Sequence, residues 1–192
     1  MKTTIAVLTF VLALTLCAGA QKQISFTNLP LAAQPAPVPS GYYGLNWNNI
    51  FYVDPLKWSG AGPGFLLSSV PNRDVAFVGS ASCTCCPPVH QSCSGSISGS
   101  STGSNSTTQV SFQALSAIVA AGFHPNDITV LAYSHGNFVG MATYSLNAQL
   151  QTLLFPPSWG EITQLTFQTD AGGDLVFYSL AVNFSGGSVP PQ

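Results

Sequence analysis

The C-terminal part of the chain reads Ile162-Thr-Gln-Leu-Thr-Phe-Gln-Thr169, Asp170-Ala-Gly-Gly-Asp174 and Leu175-Val-Phe-Tyr-Ser-Leu-Ala-Val-Asn-Phe184. Its first run alternates polar and apolar side chains. Its last run places five large side chains on one face at a period of two residues: Val176, Tyr178, Leu180, Val182 and Phe184. Alternation in runs rich in Thr, Val, Phe and Tyr is typical of β-strands. With the Gly-Gly turn between them, the runs predict a β-hairpin whose apolar face needs a second sheet to cover it.

The composition of the chain limits the classes of function it can have. Its 192 residues suffice for one domain with a core, and only 5% of them are charged, with 4 Lys+Arg and 6 Asp+Glu. The usual charged share is about 25%, so solubility depends on Ser, Thr, Asn, Gln and Gly, and on glycans. So few basic residues leave no electrostatic footprint for a nucleic acid or an anionic membrane surface, and we exclude both as partners.

The N-terminus has the layout of a secretory signal peptide over residues 1–20. A basic start is followed by a short apolar run, Ile5–Leu16, and by the small-residue cleavage signal Ala18-Gly-Ala20. The run is too short to span a bilayer comfortably, and no later segment is apolar enough to do so. We therefore expect a secreted protein whose mature chain begins at Gln21. Cys17 as a lipoprotein acceptor is the alternative, which the preceding Leu disfavours.

Four cysteines remain after the signal peptide: Cys83, Cys85, Cys86 and Cys93. An even count in an oxidising compartment predicts two disulfides. Adjacent cysteines bridge each other only with strain, so two connectivities are open. They are Cys83–Cys85 with Cys86–Cys93, and Cys83–Cys86 with Cys85–Cys93, of which the second avoids a very small ring. With His90 among the thiols, a zinc or copper(I) site is the alternative, but separate C-x-x-C pairs are absent and no metal site is predicted here.

The chain divides by composition into four parts. After the signal peptide, residues 21–40 hold a strand candidate, Ile24-Ser-Phe26, and a Pro-rich extended lead-in without a pattern that could pack. Residues 41–185 form the domain, and residues 186–192 are a tail. Within the domain, residues 80–108 are rich in Cys, Ser and Gly and cannot bury enough surface to order themselves, so we expect a mobile loop pinned by disulfides.

Two Asn-X-Ser/Thr sequons predict N-linked glycosylation of a secreted chain. Asn105-Ser-Thr107 lies at the tip of the Ser-rich loop, and Asn183-Phe-Ser185 lies at the end of the last strand run. Glycans at these positions would add the solubility that the few charged residues do not supply.

Strand patterns recur at short intervals through the domain. They cover Ile50–Val53, Asp74–Val78, Val110–Leu115, Ile128–Tyr133, Asn137–Asn147 and Leu150–Phe155, ahead of the C-terminal pair. The third is ambiguous, because residues 113–121 could also close as a short helix, although a strand is favoured. In the fifth, the alternation places Phe138, Ala142, Tyr144 and Leu146 on one face. Eight or nine short strands with turns between them predict an all-β fold, an antiparallel β-sandwich or jelly roll.

The order of these pieces also carries a family resemblance. The pieces are the aromatic opening Gly41-Tyr-Tyr-Gly-Leu-Asn-Trp47, Val75-Ala-Phe77, the pair Ile128–Tyr133 and Asn137–Leu146, and the closing runs Leu165-Thr-Phe167, Leu175–Tyr178 and Val182-Asn-Phe184. Together they resemble the galactose-binding-like jelly-roll domains of secreted fungal and bacterial proteins of unknown function, over roughly residues 41–184 without the cysteine-rich loop. The resemblance implies a β-sandwich that is often carbohydrate-binding, occasionally calcium-bound and without family-wide catalytic machinery. It carries over no site residue.

A glycosidase would need a pair of carboxylates. The acids of the mature chain are Asp54, Asp74, Asp127, Glu161, Asp170 and Asp174. Each aspartate has an ordinary turn or cap explanation, whereas Glu161, after Trp159-Gly160, has none. Asp170 and Asp174 flank the Gly-Gly turn and are the calcium candidates, since carboxylate and backbone oxygens are the ligands that calcium prefers. No catalytic residue and no other cofactor is predicted.

The aromatic residues outside the strand patterns are the better indication of binding. Tyr42, Tyr43, Trp47, Trp58 and Trp159 lie among Gly, Pro and Asn, and Asn48 adjoins Trp47. Flat rings suit the apolar faces of sugar rings, while amides and carboxylates hydrogen-bond to the hydroxyls. We predict a ligand-binding surface made by these six residues. The competing interpretation is that the rings only cover the ends of the sandwich.

The sequence thus favours a secreted, non-catalytic β-sandwich that binds a polysaccharide or another cell-surface or cell-wall ligand. Two alternatives stay open. One is an extracellular structural or host-directed protein that binds other proteins. The other is a polysaccharide-active enzyme with an unrecognised carboxylate pair.

Overall fold

The fold is an antiparallel β-sandwich, as the strand patterns predict. A computed structural model describes residues 21–67, 74–78, 92–99, 110–171 and 173–185, and the structural statements below concern this part of the chain. It contains twelve strands in one sheet of seven and one sheet of five, and no α-helix.

The seven-stranded sheet is built around the last strand of the chain. Its members are β1 (Gln21–Ile24), β2 (Ala36–Pro37), β4 (Ile50–Val53), β5 (Val75–Val78), β7 (Phe112–Ala120), β10 (Gln151–Leu154) and β12 (Leu175–Phe184). They lie in the order β10-β7-β12-β5-β4-β2, and β1 also pairs with β12. One edge of β12 is shared, because β5 pairs with its beginning and β1 with its end.

The five-stranded sheet lies opposite and has the order β3-β6-β11-β8-β9. Its members are β3 (Leu45–Asn48), β6 (Ser92–Gly99), β8 (Asn126–Ser134), β9 (Asn137–Leu146) and β11 (Gln164–Ala171). Three single 3₁₀ turns interrupt the connections, at Tyr42–Gly44, Pro63–Phe65 and Pro157–Trp159.

The predicted hairpin between the last two strands is wrong. β11 pairs with β6 and β8, whereas β12 pairs with β7, β5 and β1, so the two strands belong to different sheets. The connection from Asp170 to Asp174 therefore crosses from one sheet to the other. The physical reason lies in β12, which is apolar on both faces and has nine of its ten residues buried. Such a run is typical of a central strand in a sandwich core.

A β-bulge also corrects the predicted face of β12. Phe177 pairs with Val119 and Ser179 pairs with Ile118, so Tyr178 is an extra residue that reverses the alternation. Leu175 and Phe177 consequently face the other sheet together with Leu180, Val182 and Phe184. Val176 and Tyr178 face the opposite way.

Two apolar clusters stabilise the sandwich. The larger lies between the sheets, where the rings of Phe167 and Phe177 meet edge to face with 5.0 Å between their centroids. The smaller lies on the outer face of the seven-stranded sheet, where the connection after β4 brings Trp58 and Phe65 onto Phe77. The outer face of that sheet is therefore covered by the protein's own chain around β4, β5 and the start of β12.

Strand β6 corrects the prediction of a mobile loop for residues 92–99, and the rest of the predicted loop 80–108 lies outside the described residues. Residues 92–99 form a strand that pairs with β3 on one side and β11 on the other. Backbone pairing on both edges orders a stretch of Ser and Gly whose side chains supply little burial, and Ile97 anchors it with 0% exposure. Gly95 matters for packing, because a Cβ there would lie 3.0 Å from the Asn49 carbonyl oxygen and 3.1 Å from Ile50 Cγ1.

The Pro-rich lead-in is part of the sandwich, which corrects the prediction that it could not pack. Leu29 and Val38 are buried in the main cluster, and the short strand β2 pairs Ala36 with Tyr52. Proline lacks the N–H that a central strand needs but is tolerated at a sheet edge, where β2 lies.

The predicted strand Ile24–Phe26 is displaced, since β1 ends at Ile24, and the other strand predictions are confirmed with shifts at their ends. The ambiguous segment 113–121 lies mainly in strand β7 and is not a helix. β8 and β9 form a hairpin whose turn residues His135 and Gly136 have φ angles of 49° and 80°. Positive φ at both turn positions is typical of the tight turns that match the twist of two-residue hairpins.

Several predictions fall on residues that the structure does not describe. They include the signal peptide, the C-terminal tail, the glycosylation site Asn105, and Cys83, Cys85 and Cys86. The two disulfides therefore stay a prediction. In the part of the chain that is described, no helix has the length and apolarity needed to cross a membrane.

Candidate functional site: the outer face of the five-stranded sheet

The outer face of the five-stranded sheet presents its side chains to solvent. In β8, Ile128, Val130 and Ala132 are fully buried, so the alternating residues Thr129 and Leu131 point outward. The same alternation holds in β6, β11 and β9, where the outward residues are exposed or half-exposed. We call this surface the open face.

Strand register arranges the open face into three rows that cross the strands. The first row is Phe138, Tyr133, Gln164, Ser98 and Asn46. The second row is Met141, Leu131, Thr166, Ser96 and Asn48. The third row is Thr143, Thr129, Gln168 and Ser94. Each row is apolar or hydroxyl-bearing at β9 and β8 and becomes amide- and hydroxyl-rich toward β3.

A bulge in β9 brings Phe138 into the first row. Ala132 pairs with Gly140, but the next residue of β8, Tyr133, pairs with Phe138, which leaves Val139 as the extra residue. The alternation predicted from the sequence, with Phe138 on the same face as Ala142 and Tyr144, is therefore corrected. The Tyr133 and Phe138 rings meet edge to face with 5.9 Å between their centroids, and Phe138 is 56% exposed.

Polar side chains on the open face partly orient one another. Gln164 Nε2 donates to Thr166 Oγ1 at 3.1 Å, and the hydroxyls of Thr129 and Thr143 lie 3.4 Å apart. An amide offers two N–H donors and an oxygen with two lone pairs, and a hydroxyl can both donate and accept. These contacts leave most of that capacity for a ligand with many hydroxyl groups.

The open face is electrically neutral over its three rows, which contain no charged residue. Two acids stand at one end of it, where Asp170 Oδ2 accepts a hydrogen bond from the Asp127 backbone N–H at 3.2 Å. A neutral surface with carboxylates at its margin has no means of compensating an acidic ligand.

The three tryptophans that were predicted to bind a ligand pack in the interior instead, each with 7% of its surface exposed. Trp47 meets Phe26 edge to face at 5.5 Å and donates its indole N–H to the Tyr42 carbonyl oxygen at 2.9 Å. Trp58 stacks on Phe77, in the smaller cluster. Trp159 stacks on Phe155 and lies against Gly140, whose missing Cβ makes room for the indole.

The remaining predicted binding residues lie at the β3 side of the molecule. Asn48 is exposed in the second row, and Tyr43 is 9% exposed. Tyr42 is half-buried, and burial raises the pKa of its hydroxyl, which donates to the Ser25 carbonyl oxygen at 2.6 Å. The fold therefore brings Tyr42, Tyr43 and Trp47 together, places Asn48 on the open face, and leaves Trp58 and Trp159 elsewhere.

Both calcium candidates hold loops by hydrogen bonds. Asp174 Oδ1 accepts the backbone N–H groups of Gly122 at 2.8 Å and Phe123 at 3.3 Å. Burial raises the pKa of Asp174, and these two donors offset part of that rise. Among the described residues no three His, Cys, Asp or Glu side chains are grouped as metal ligands. Calcium binding at Asp170 and Asp174 stays a prediction.

The other acids do not lie in the open face. Asp54 and Asp74 are 0% and 3% exposed, at the end of β4 and the start of β5 in the other sheet. Burial and the nearby Asp54 carboxylate raise the pKa of Asp74, while Lys57, 3.5 Å from Asp54, lowers it. Glu161 is exposed.

Asn183, the second predicted glycosylation site, lies half-buried in β12 between β1 and β7, with its Oδ1 buried.

Except for Asn48, the residues of the open face were not predicted, because the predicted aromatic residues were those outside the strand patterns. Tyr133 and Phe138 stand inside strands, on either side of the Ser-His-Gly-Asn turn. A signal was present in the alternating Gln164, Thr166 and Gln168, since three hydrogen-bonding side chains on one strand face mark a surface. The bulge that turns Phe138 outward has no signature in the sequence.

Comparison with known proteins supports the fold. No protein-family model matches the chain, and no curated protein matches it. Among solved structures, a DUF4465 family protein from Bacteroides caccae is 8% identical with a TM-score of 0.52, over 90% of this chain and 97% of that one. A family two carbohydrate esterase from Cellvibrio japonicus is 13% identical with a TM-score of 0.37; the match covers 90% of this chain but only 37% of that one. The chain thus shares its β-sandwich fold with a protein of nearly the same extent.

Proposed function

We propose that the chain is a secreted, non-catalytic β-sandwich that binds a neutral polysaccharide on its open face. One observation carries the proposal: two neighbouring rings, Tyr133 and Phe138, begin a row that continues through Gln164, Ser98 and Asn46. A sugar ring has apolar C–H faces and a rim of hydroxyls. It can therefore pack on aromatic rings while amides and hydroxyls exchange hydrogen bonds with its rim.

Several properties of the face support this ligand class. The surface is an ordered sheet, so little conformational entropy is lost when it binds. Its neutrality matches an uncharged polymer, and its amide and hydroxyl groups suit a partner that both donates and accepts hydrogen bonds. The DUF4465 relative supports only the sandwich itself.

Binding of another protein is the second candidate, because β9 at the sheet edge exposes apolar side chains. Met141 is 62% exposed and Val139 is 38% exposed. Aromatic residues and Met are enriched at protein interfaces. A protein partner would use this apolar edge and would not need the polar part of the rows.

The test is retention of the secreted chain on insoluble cellulose, chitin and β-glucan, with two variants. Phe138→Ala should weaken retention about tenfold or more, since tenfold corresponds to about 1.4 kcal/mol and an aromatic ring that is covered on binding can contribute this much. Leu154→Ala removes an apolar side chain that is more exposed than Phe138 (71% against 56%) from β10 in the other sheet and should change nothing. Failure of the wild-type chain to bind any neutral polymer would overturn the proposal.

A further inference from the structure

We propose that the binding site continues past the edge strand β3 into a depression lined by Tyr42 and Tyr43, so that one extended sugar chain crosses all five strands and ends there. This inference rests on the proposed function and adds the length of the site and the direction of the ligand. The occupant is a single, unbranched, neutral polysaccharide chain.

The first row of the open face runs across all five strands. Its five residues are direct partners on neighbouring strands, so the row runs perpendicular to the strands from Phe138 to Asn46. At a strand spacing of about 4.8 Å, four intervals give a row of roughly 19 Å. A polymer that begins on the Tyr133 and Phe138 rings reaches Asn46 only if it extends over several sugar units.

A hydrogen bond links Asn46, at the end of the first row, to the rim of the depression. Ser40 Oγ donates to Asn46 Oδ1 at 2.6 Å, and Ser40 is exposed and lines the depression. The chain turns there at Gly41, which has a φ of 83°, a conformation that glycine adopts without strain. The end of the row and the rim of the depression are therefore hydrogen-bonded to each other.

The depression is lined by the same kinds of groups as the first row, namely aromatic rings, an amide and a hydroxyl. Its lining residues are Asn28, Leu29, Pro39, Ser40, Gly41, Tyr42 and Tyr43. Tyr42 and Tyr43 meet edge to face with 4.8 Å between ring centroids, and Asn28 Nδ2 donates to the Tyr43 hydroxyl at 3.3 Å. The exposed Asn28 amide and Ser40 hydroxyl again suit the hydroxyl groups of a sugar, beside the half-buried Tyr42 ring. None of the lining residues is charged. Lys22 Nζ lies 4.5 Å from the centroid of the Tyr43 ring, and the depression has no second charge to hold an ionic ligand, so a neutral polymer fits both ends.

The two ends of the site contribute to the binding affinity in different ways. The Phe138 end offers an exposed ring and dominates the affinity for short ligands. The β3 end offers hydrogen bonds from Asn28, Ser40 and Asn46 and contributes only when the ligand is long enough to arrive there. Affinity should consequently rise with chain length until the depression is filled.

The experiment measures dissociation constants by calorimetry for cello- and chito-oligosaccharides from disaccharide to hexasaccharide. The secreted chain is compared with Asn46→Ala, Asn28→Ala and the control Gln149→Ala, an exposed residue in the β9–β10 connection. We expect affinity to increase with length in the wild type. Each of the two β3-side variants should weaken binding of the hexasaccharide about fivefold, the effect of one lost hydrogen bond, and leave the disaccharide unchanged.

The outcomes separate this inference from the proposed function. If Phe138→Ala abolishes binding but affinity is flat beyond the trisaccharide, or if Asn46→Ala and Asn28→Ala act equally on short and long ligands, the extended site is overturned and the open face stands. If no oligosaccharide and no polymer binds, both proposals fail. A folded circular dichroism spectrum of each variant establishes that a loss of binding is not a loss of structure.

Discussion

At the scale of single residues, the position of a ring decides its role. Trp58 is flanked by Phe65 at 5.2 Å and stacked on Phe77 at 5.6 Å, and it is 7% exposed. Phe138 makes one ring contact, with Tyr133, and is 56% exposed. Both are aromatic residues beside turns in the sequence. Only the fold separates the ring that stabilises the core from the ring that faces solvent.

Trp58→Ala should therefore reduce stability without acting on the open face. Removing a buried aromatic side chain costs about 3–5 kcal/mol through lost burial and the cavity left behind. Urea unfolding followed by fluorescence measures the loss, and Leu154→Ala, at an exposed position, should stay within about 0.5 kcal/mol of wild type. A Trp58→Ala protein with wild-type stability would mean that the connection after β4 does not cover the seven-stranded sheet as described.

The buried carboxyl of Asp174 makes stability depend on pH. Its pKa is raised in the folded state, chiefly by burial, so the folded protein holds this proton to higher pH than the unfolded chain does. The contribution is thus fully present below the unfolded-state pKa and is lost as pH rises through the raised folded-state value. Asp174→Asn keeps an oxygen for the Gly122 and Phe123 N–H groups but removes the ionisation.

We expect Asp174→Asn to be more resistant to urea than wild type at neutral pH, and the difference to disappear toward acidic pH. Asp127→Asn, at an exposed position, is the matched control. A variant that is less stable than wild type at every pH would indicate that the ionised carboxylate is needed there.

At the scale of the strands, alternation was a reliable guide to where strands lie and a poor guide to what they pair with. β4, β8 and β9 were predicted from their own side chains, because half-buried strands repeat every two residues. The partner of β11 was not predictable, since a turn rich in Gly serves a hairpin and a crossing between sheets equally well. The apolar side chains on both faces of β12 were the feature that indicated a central strand.

Strand β6 shows why composition alone misleads. A stretch of Ser and Gly has too little apolar surface to order itself, and the prediction of a mobile loop followed from that. Its order comes from pairing with β11 along most of its length, from pairing with β3 over Ser96–Gly99, and from Ile97 in the core. Pairing between strands that are far apart in the sequence cannot be predicted from the composition of one short stretch.

The amides of β6 should accordingly be protected from hydrogen exchange. Amides in a central strand exchange through the larger openings of the fold, not through local fraying. Exchange of β6, measured by mass spectrometry on peptides covering residues 92–99, should be as slow as that of β11. Exchange at the rate of an unstructured chain would contradict the pairing of β6 in the middle of the sheet.

At the scale of the whole molecule, the two sheets have different surroundings. Part of the outer face of the seven-stranded sheet is covered by Trp58 and Phe65, whereas the five-stranded sheet displays its outward rows. The sandwich was predictable from the number and spacing of strands. The open face was not, because it is made by residues from five strands that register alone brings into line.

The most direct test is to map the bound ligand by NMR. Backbone amide shifts of the protein would be followed during titration with cellohexaose and with chitohexaose. We expect the shifts to concentrate on the outward residues of β3, β6, β8, β9 and β11, with Tyr133, Phe138 and Gln164 among the largest. Shifts confined to the surroundings of Trp58 or Trp159, or the absence of shifts with either ligand, would contradict the binding of a neutral glycan on the open face.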